Sequence, residues 1–208
     1  MDSALFVDQL LKEVMDDQEE KKRQIRLEGL DEQAELPEFV IKHWLNFAVY
    51  YEKAATYFIA DWLKTTKEPD AFVNFAHQIR DEANHYVWLR KYLQEYTDPD
   101  AFTPPKEWRY LMEEYYPGLD HLVERLAAHN IASESAALGF MEFALDRFPE
   151  SIRNTVEKVA KDEHFHVSFG CTLLKKYCTT PELQERALKA TREAMKLMRQ
   201  AREVFVQI

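Results

Sequence analysis

Glycine is scarce in this chain, with four in 208 residues. So few glycines leave little room for the turn-rich chain of a β fold. Cysteine is scarcer still. Cys171 and Cys178 lie seven apart and form no Cys-x-x-Cys pair. That spacing excludes a disulfide framework and a rubredoxin-type or zinc site, and leaves two ordinary reduced thiols. No apolar run approaches the roughly 20 residues that a membrane span needs. The N-terminal stretch MDSALFVDQLLKEVMDDQ is acidic where a targeting peptide is basic. A soluble, cytoplasmic protein with no membrane partner is expected. Positive charge is also in deficit: 27 Lys and Arg against 37 Asp and Glu give a net charge of −10. A nucleic-acid backbone would be repelled, and the basic residues near 21–26 sit among acidic ones as a solvated helix face.

What is present is a chain 46% hydrophobic and 13% aromatic, enough to bury a core in one domain over 1–208. Charged and apolar residues alternate at three- and four-residue intervals, the period of helices. The eight prolines cut the sequence into long proline-free segments, about 2–28, 38–68, 70–97, 118–148, 150–180 and 182–208. Asp2 or Ser3 is placed to cap the first. The stretch from Tyr96 to Gly118 differs, holding four of the prolines and one short helical piece around 106–115. It reads as a long crossover. Two helices, a crossover and two more helices over about 38–180 predict an all-α, ferritin-like four-helix bundle, flanked by helices at 2–28 and 182–208. The flanking helices are expected to cover the bundle or to form a homodimer interface.

Each core segment carries an inward apolar stripe interrupted by acid. The first is Ile41, Leu45, Ala48, Glu52, Ala55, Ile59 and Leu63, and the second Phe75, Ile79, Glu82, His85, Leu89 and Leu93. The third is Leu122, Leu126, Glu134, Leu138, Met141 and Leu145, and the fourth Val156, Val159, Glu163, His166, Gly170 and Leu173. Glu and His three apart share a helix face, so Glu82 with His85, and Glu163 with His166, project together. Glu52 and Glu82 are 30 residues apart, Glu134 and Glu163 29, and the two Glu-x-x-His pairs 81. Antiparallel pairing would bring all six to one level.

Four carboxylates in a core oppose ionisation through desolvation and mutual repulsion. Two divalent cations would cancel the four charges and accept two imidazoles. Oxygen and nitrogen donors without thiolate suit iron or manganese. The candidate metal-binding and catalytic residues are therefore Glu52, Glu82, His85, Glu134, Glu163 and His166. Glu142 competes with Glu134 for the third helix but lies about 80° around it and spoils the matched spacing. His77 and His164 fall off the stripe, and His121 and His129 show no partner pattern. Tyr51, Tyr57 and Tyr86 flank the candidate ligands, with core filling the expected role. For Gly170, close helix packing and space for a substrate stand as equal readings.

One Glu from each of two helices plus Glu-x-x-His from each of the other two resembles the ferritin-like non-haem di-iron carboxylate proteins. The resemblance covers about 38–180. The Asp before each Glu, Asp81 and Asp162, matches the DExxH form common in the oxygen-activating branch. DEHFHVSFG (162–170) looks most like the corresponding helix of aldehyde-deformylating oxygenases. The resemblance implies two iron ions (manganese in one or both positions being the variant), O2 as co-substrate, and Asp81 and Asp162 orienting the ligating imidazoles. It also implies an oxidase or oxygenase acting on a small, largely apolar organic molecule, with electrons from a ferredoxin or reductase. The alternatives are a ferroxidase or peroxide-scavenging iron-handling protein and a tRNA-modifying di-iron hydroxylase. The missing cysteine pairs and the added terminal helices disfavour the first, and the acidity disfavours the second.

Overall fold

A computed structural model describes residues 1–27 and 35–206. The expectations of helix at 28 and at 207–208 lie outside the described residues, as do the side chains of the basic stretch at 24–26. The described chain is helical, with no strand among its residues. Among the described residues no helix is long and apolar enough to cross a membrane. The helices are α1 (Ser3–Leu27), α2 (Glu38–Leu63), α3 (Pro69–Leu93), the short α4 (Lys106–Arg109), a composite α5, then α6 (Glu150–Tyr177) and α7 (Pro181–Val206). A π-helical turn, Tyr110–Tyr115, continues α4. The composite α5 begins as α-helix at Leu122–Arg125, turns π-helical over Leu126–Glu134, and returns to α over Ser135–Ala144. It closes with a 3-10 turn, Leu145–Arg147.

Proline starts most of these helices, because its missing N–H falls where no partner exists. Pro37 and Pro149 stand just before α2 and α6, and Pro69 and Pro181 open α3 and α7. Asp2, not Ser3, caps α1: its Oδ1 accepts from the N–H of Ala4 at 3.0 Å and of Leu5 at 3.1 Å. Thr180 Oγ1 accepts the N–H of Leu183 in the same role for α7. Ser3 Oγ instead donates to the carbonyl of Lys175 at 2.7 Å, tying α1 to α6.

Packing groups the chain into two compact units, 37–122 with 196–208 and 1–36 with 123–195. The unit built on 37–122 is a hairpin of α2 and α3. Trp62 stacks near Phe75 beside the loop, and Glu52 meets His85 almost three turns along, the register of an antiparallel pair. The proline-rich stretch after α3 begins by folding back, Arg90 holding both carboxylate oxygens of Asp100 at 3.0 and 2.6 Å. It then runs beside α2. Trp108 stacks on Phe47 with centroids 3.8 Å apart, Tyr50 donates to Glu113, and Trp62 Nε1 donates to the carbonyl of the buried Tyr116. The crossover thus travels along the hairpin while adding aromatic core to it.

In the other unit, α5 and α6 form the second hairpin and α1 lies against both. Gly170 on α6 settles as a close-packing residue. A Cβ there would stand 2.5 Å from Asn130 Cβ on the π-helical stretch, closer than side-chain carbons approach, and Asn130 Nδ2 donates to the carbonyl of His166 nearby. Of the flanking tyrosines, Tyr51 fills core against Phe47, while Tyr86 lies between Lys53 and Arg90. Tyr57 is 63% exposed, so it fills no core: its position on α2 turns it to solvent.

Two outcomes test this packing. Gly170→Ala is expected to destabilise the protein by about 1–3 kcal/mol, because the added carbon overpacks a rigid seam; thermal unfolding followed by circular dichroism measures it. Burial pushes the Cys178 thiol up to about 11. Alkylation of the native protein at pH 8 should therefore leave Cys178 unlabelled, with labelling growing as pH nears 11. Because the folded state disfavours the thiolate, Cys178 erodes stability as pH rises from its unfolded value of about 8.5 towards 11.

Candidate metal centre

Each hairpin carries its chemistry in the same order, a lone glutamate on its first helix and Glu-x-x-His on its second. On α2 and α3, Glu52, Glu82 and His85 offer ligand atoms within 4.8 Å of one another. Three residues on one α-helix turn Glu82 and His85 to one face, and the antiparallel register sets Glu52 opposite. His85 presents Nδ1, 3.1 Å from Glu82 Oε2 and 3.6 Å from Glu52 Oε2. Gln78, one turn before Glu82 and fully buried, donates from Nε2 to Glu82 Oε1 at 2.9 Å and fixes the carboxylate's plane.

The hairpin of α5 and α6 repeats the arrangement. Glu134, Glu163 and His166 also offer atoms within 4.8 Å of one another. His166 again presents Nδ1, 2.8 Å from Glu163 Oε2. Burial pushes Glu134 upward, yet the opposing influences win: the His129 imidazole, hydrogen bonds from Glu163 and His129, and His166 together hold it well below the usual carboxylate range. None of the six residues is more than 5% exposed.

Aromatic rings back both imidazoles. Trp88 lies 5.8 Å from the His85 ring, and Phe169 and Phe165 lie 6.1 and 6.3 Å from that of His166. Phe169 is buried, whereas Phe165 is 41% exposed; apolar neighbours lower the local dielectric and strengthen electrostatics at the trio.

The other acids and histidines sort by burial. Glu142 is half exposed and pairs with the exposed His164 at 2.9 Å, whereas Glu134 is sealed. Asp81 is buried and receives two hydrogen bonds from Arg80, at 3.1 and 2.8 Å, with His77 beside it. Asp162 is half buried. His129 departs from the expectation. It is fully buried, and its Nε2 lies 2.8 Å from Glu134 Oε1. A five-residue separation aligns side chains on a π-helix and not on an α-helix, so a search at α spacing passes it by. The signal was a gap in the third stripe: between Leu126 and Glu134 the inward positions hold His129 and Asn130, and every residue of LAAHNIASE is buried. Gln78 was missed because a lone glutamine one turn before Glu82 carries no motif.

The donor chemistry fits a divalent ion in each trio. Two carboxylates and one neutral imidazole per trio balance a double positive charge and offer only oxygen and nitrogen, the set that suits iron or manganese. An ion also replaces the proton or imidazolium charge that these buried acids otherwise need. No known family model matches the sequence, and no characterised protein is similar enough to count as a relative.

Metal removal should therefore be visible as stability. Chelator-treated protein should unfold at lower temperature, and a divalent ion at about 100 times its Kd should restore about 2.7 kcal/mol. Glu163→Gln should reverse the ranking. It relieves repulsion, raising the stability of metal-free protein by about 1 kcal/mol, and removes most of the ion-dependent gain; paired thermal scans with and without Mn2+ decide it.

Proposed function

We propose that the protein is a non-haem di-iron oxidase or oxygenase of the ferritin-like kind, each trio holding one of its two ions. The duplication carries this reading. Two hairpins each bury two carboxylates and one imidazole within 4.8 Å, in the same chain order. A single buried Glu–His pair is common as a structural ion pair, but two matched trios with four acids are hard to keep folded without cations.

Glu52, Glu82 and His85 would hold one ion, and Glu134, Glu163 and His166 the other. When bound, paired iron supplies the electrons and the O2 binding that amino-acid side chains lack. The side chains do the rest. Glutamates bind through one oxygen or two, so they follow a change in ion charge without moving the helices. Gln78 holds one oxygen of Glu82, restricting which of its modes is reached. Trp88 and the buried Phe169 give the imidazoles apolar neighbours, which supports a largely apolar organic substrate. Electrons for turnover would come from a ferredoxin or reductase.

Anaerobic loading with Fe2+, metal counting and then an O2 pulse test the reading. Two irons per chain, O2 consumption, an absorption change on oxidation, and loss of all three in Glu163→Ala are the expected results. Many irons per chain oxidised into a mineral would favour iron storage instead. A chain that retains neither iron nor manganese would sink the metal reading.

A further inference from the structure

His129 is a fully buried imidazole on the wrong spacing. At α-helical pitch, residues 129 and 134 would point about 140° apart and could not touch. They meet because the chain between them is π-helical, Leu126–Glu134, and π pitch stacks residue i on i+5. Ser133 Oγ shows the same register, donating to the carbonyl of Ala128 at 3.2 Å. A π-helical run is rarer and looser than α, so a nine-residue one ending at a buried acid needs a compensating gain. The close approach of Gly170 to Asn130 keeps that run against α6.

We propose that His129 is a positioning residue: its Nε2–H donates to Oε1 of Glu134 and leaves Oε2 to bind the ion shared with Glu163 and His166. Glu134 is thereby held as a one-oxygen ligand, as Gln78 holds Glu82 in the other trio. The proposal rests on the dinuclear reading and adds to it the group that sets the binding mode of Glu134. A neutral donor orients a carboxylate without adding charge, and loss of such a supporting hydrogen bond lowers metal affinity about 10- to 100-fold.

The test is anaerobic Co2+ titration of the full chain against a competing chelator, followed by visible absorption, on wild type, His129→Leu and His129→Gln. Wild type should bind two ions. His129→Leu should weaken one binding step about 10- to 100-fold and leave the other unchanged. His129→Gln, which still donates N–H, should recover most of the loss. Two unchanged steps in a folded His129→Leu would overturn the proposal while leaving the dinuclear reading intact. Complete loss of a step in His129→Gln would also overturn it, since that pattern means a ligand and not a donor. Wild type that takes up no ion defeats the dinuclear reading and this proposal with it. Should His129→Leu fail to fold, spectra of metal-free protein with 15N-labelled histidine decide the donor itself. A slowly exchanging His129 Nε2–H that vanishes in Glu134→Ala supports it, and a proton on Nδ1 alone overturns it.

Discussion

Each hairpin buries two carboxylates that repel one another, and each loses the water that would stabilise its charge. The rest of the molecule is arranged around that difficulty. Every acid of the two trios has an imidazole or a second carboxylate close by, and three of those imidazoles, His85, His129 and His166, are themselves fully buried. Neutral donors and imidazoles spread the charge, but they do not remove it. Divalent cations would, and that electrostatic argument supports the proposed metal before any question of catalysis arises.

The geometry is assembled from short-range rules. An α-helix sets Glu and His on one face when they are three apart, and a short loop forces the next helix to return antiparallel. Those two rules suffice to build each trio within its own hairpin. Around them the packing is dense and aromatic on α2, α3 and the crossover, where Trp62, Phe58, Phe75 and Tyr116 interlock. On α5 and α6 it is small-sided instead, with Ala127, Ala128 and Ala132 buried and Gly170 set close against Asn130. Rigid surroundings of both kinds hold the trio side chains at fixed distances.

Much of this was legible in the sequence because it depends on spacing alone. Proline positions and apolar periodicity marked the helices to within a few residues. The acid-bearing stripes marked Glu52, Glu82, His85, Glu134, Glu163 and His166 as inward, and all six are buried. Glu134 could be separated from Glu142 by register, and burial separates them the same way. What escaped had a physical reason. The π-helical pitch of LAAHNIASE breaks the 3.6-residue period on which the reading relied, so His129 looked partnerless. Gln78 acts through one hydrogen bond made possible by its neighbour a turn later, which no residue pattern announces. The close approach at Gly170 is a tertiary property, decided by what α5 places opposite it. Tyr57 sits near Glu52 in sequence yet on the far side of its helix, 63% exposed.

The π-helical stretch also has a consequence for how this chain can vary. Most helices absorb changes of residue identity badly in the core but keep their phase. In α5 the phase itself is stored in a local surplus of chain, since the wider pitch takes up residues that an α-helix would have carried into the next turn. Removing a surplus residue would let the segment relax towards α pitch with the helix on either side still nearly in phase, where an ordinary α-helix that lost one would swing its ends by about 100°. A gap before His129 would then leave His129 and Glu134 five apart at α pitch, about 140° around the helix from one another, although no residue in contact with Glu134 had been replaced. The length of this segment is therefore as much a part of the candidate site as any side chain, and lineages of this chain should tolerate exchanges among its small residues far more readily than gaps.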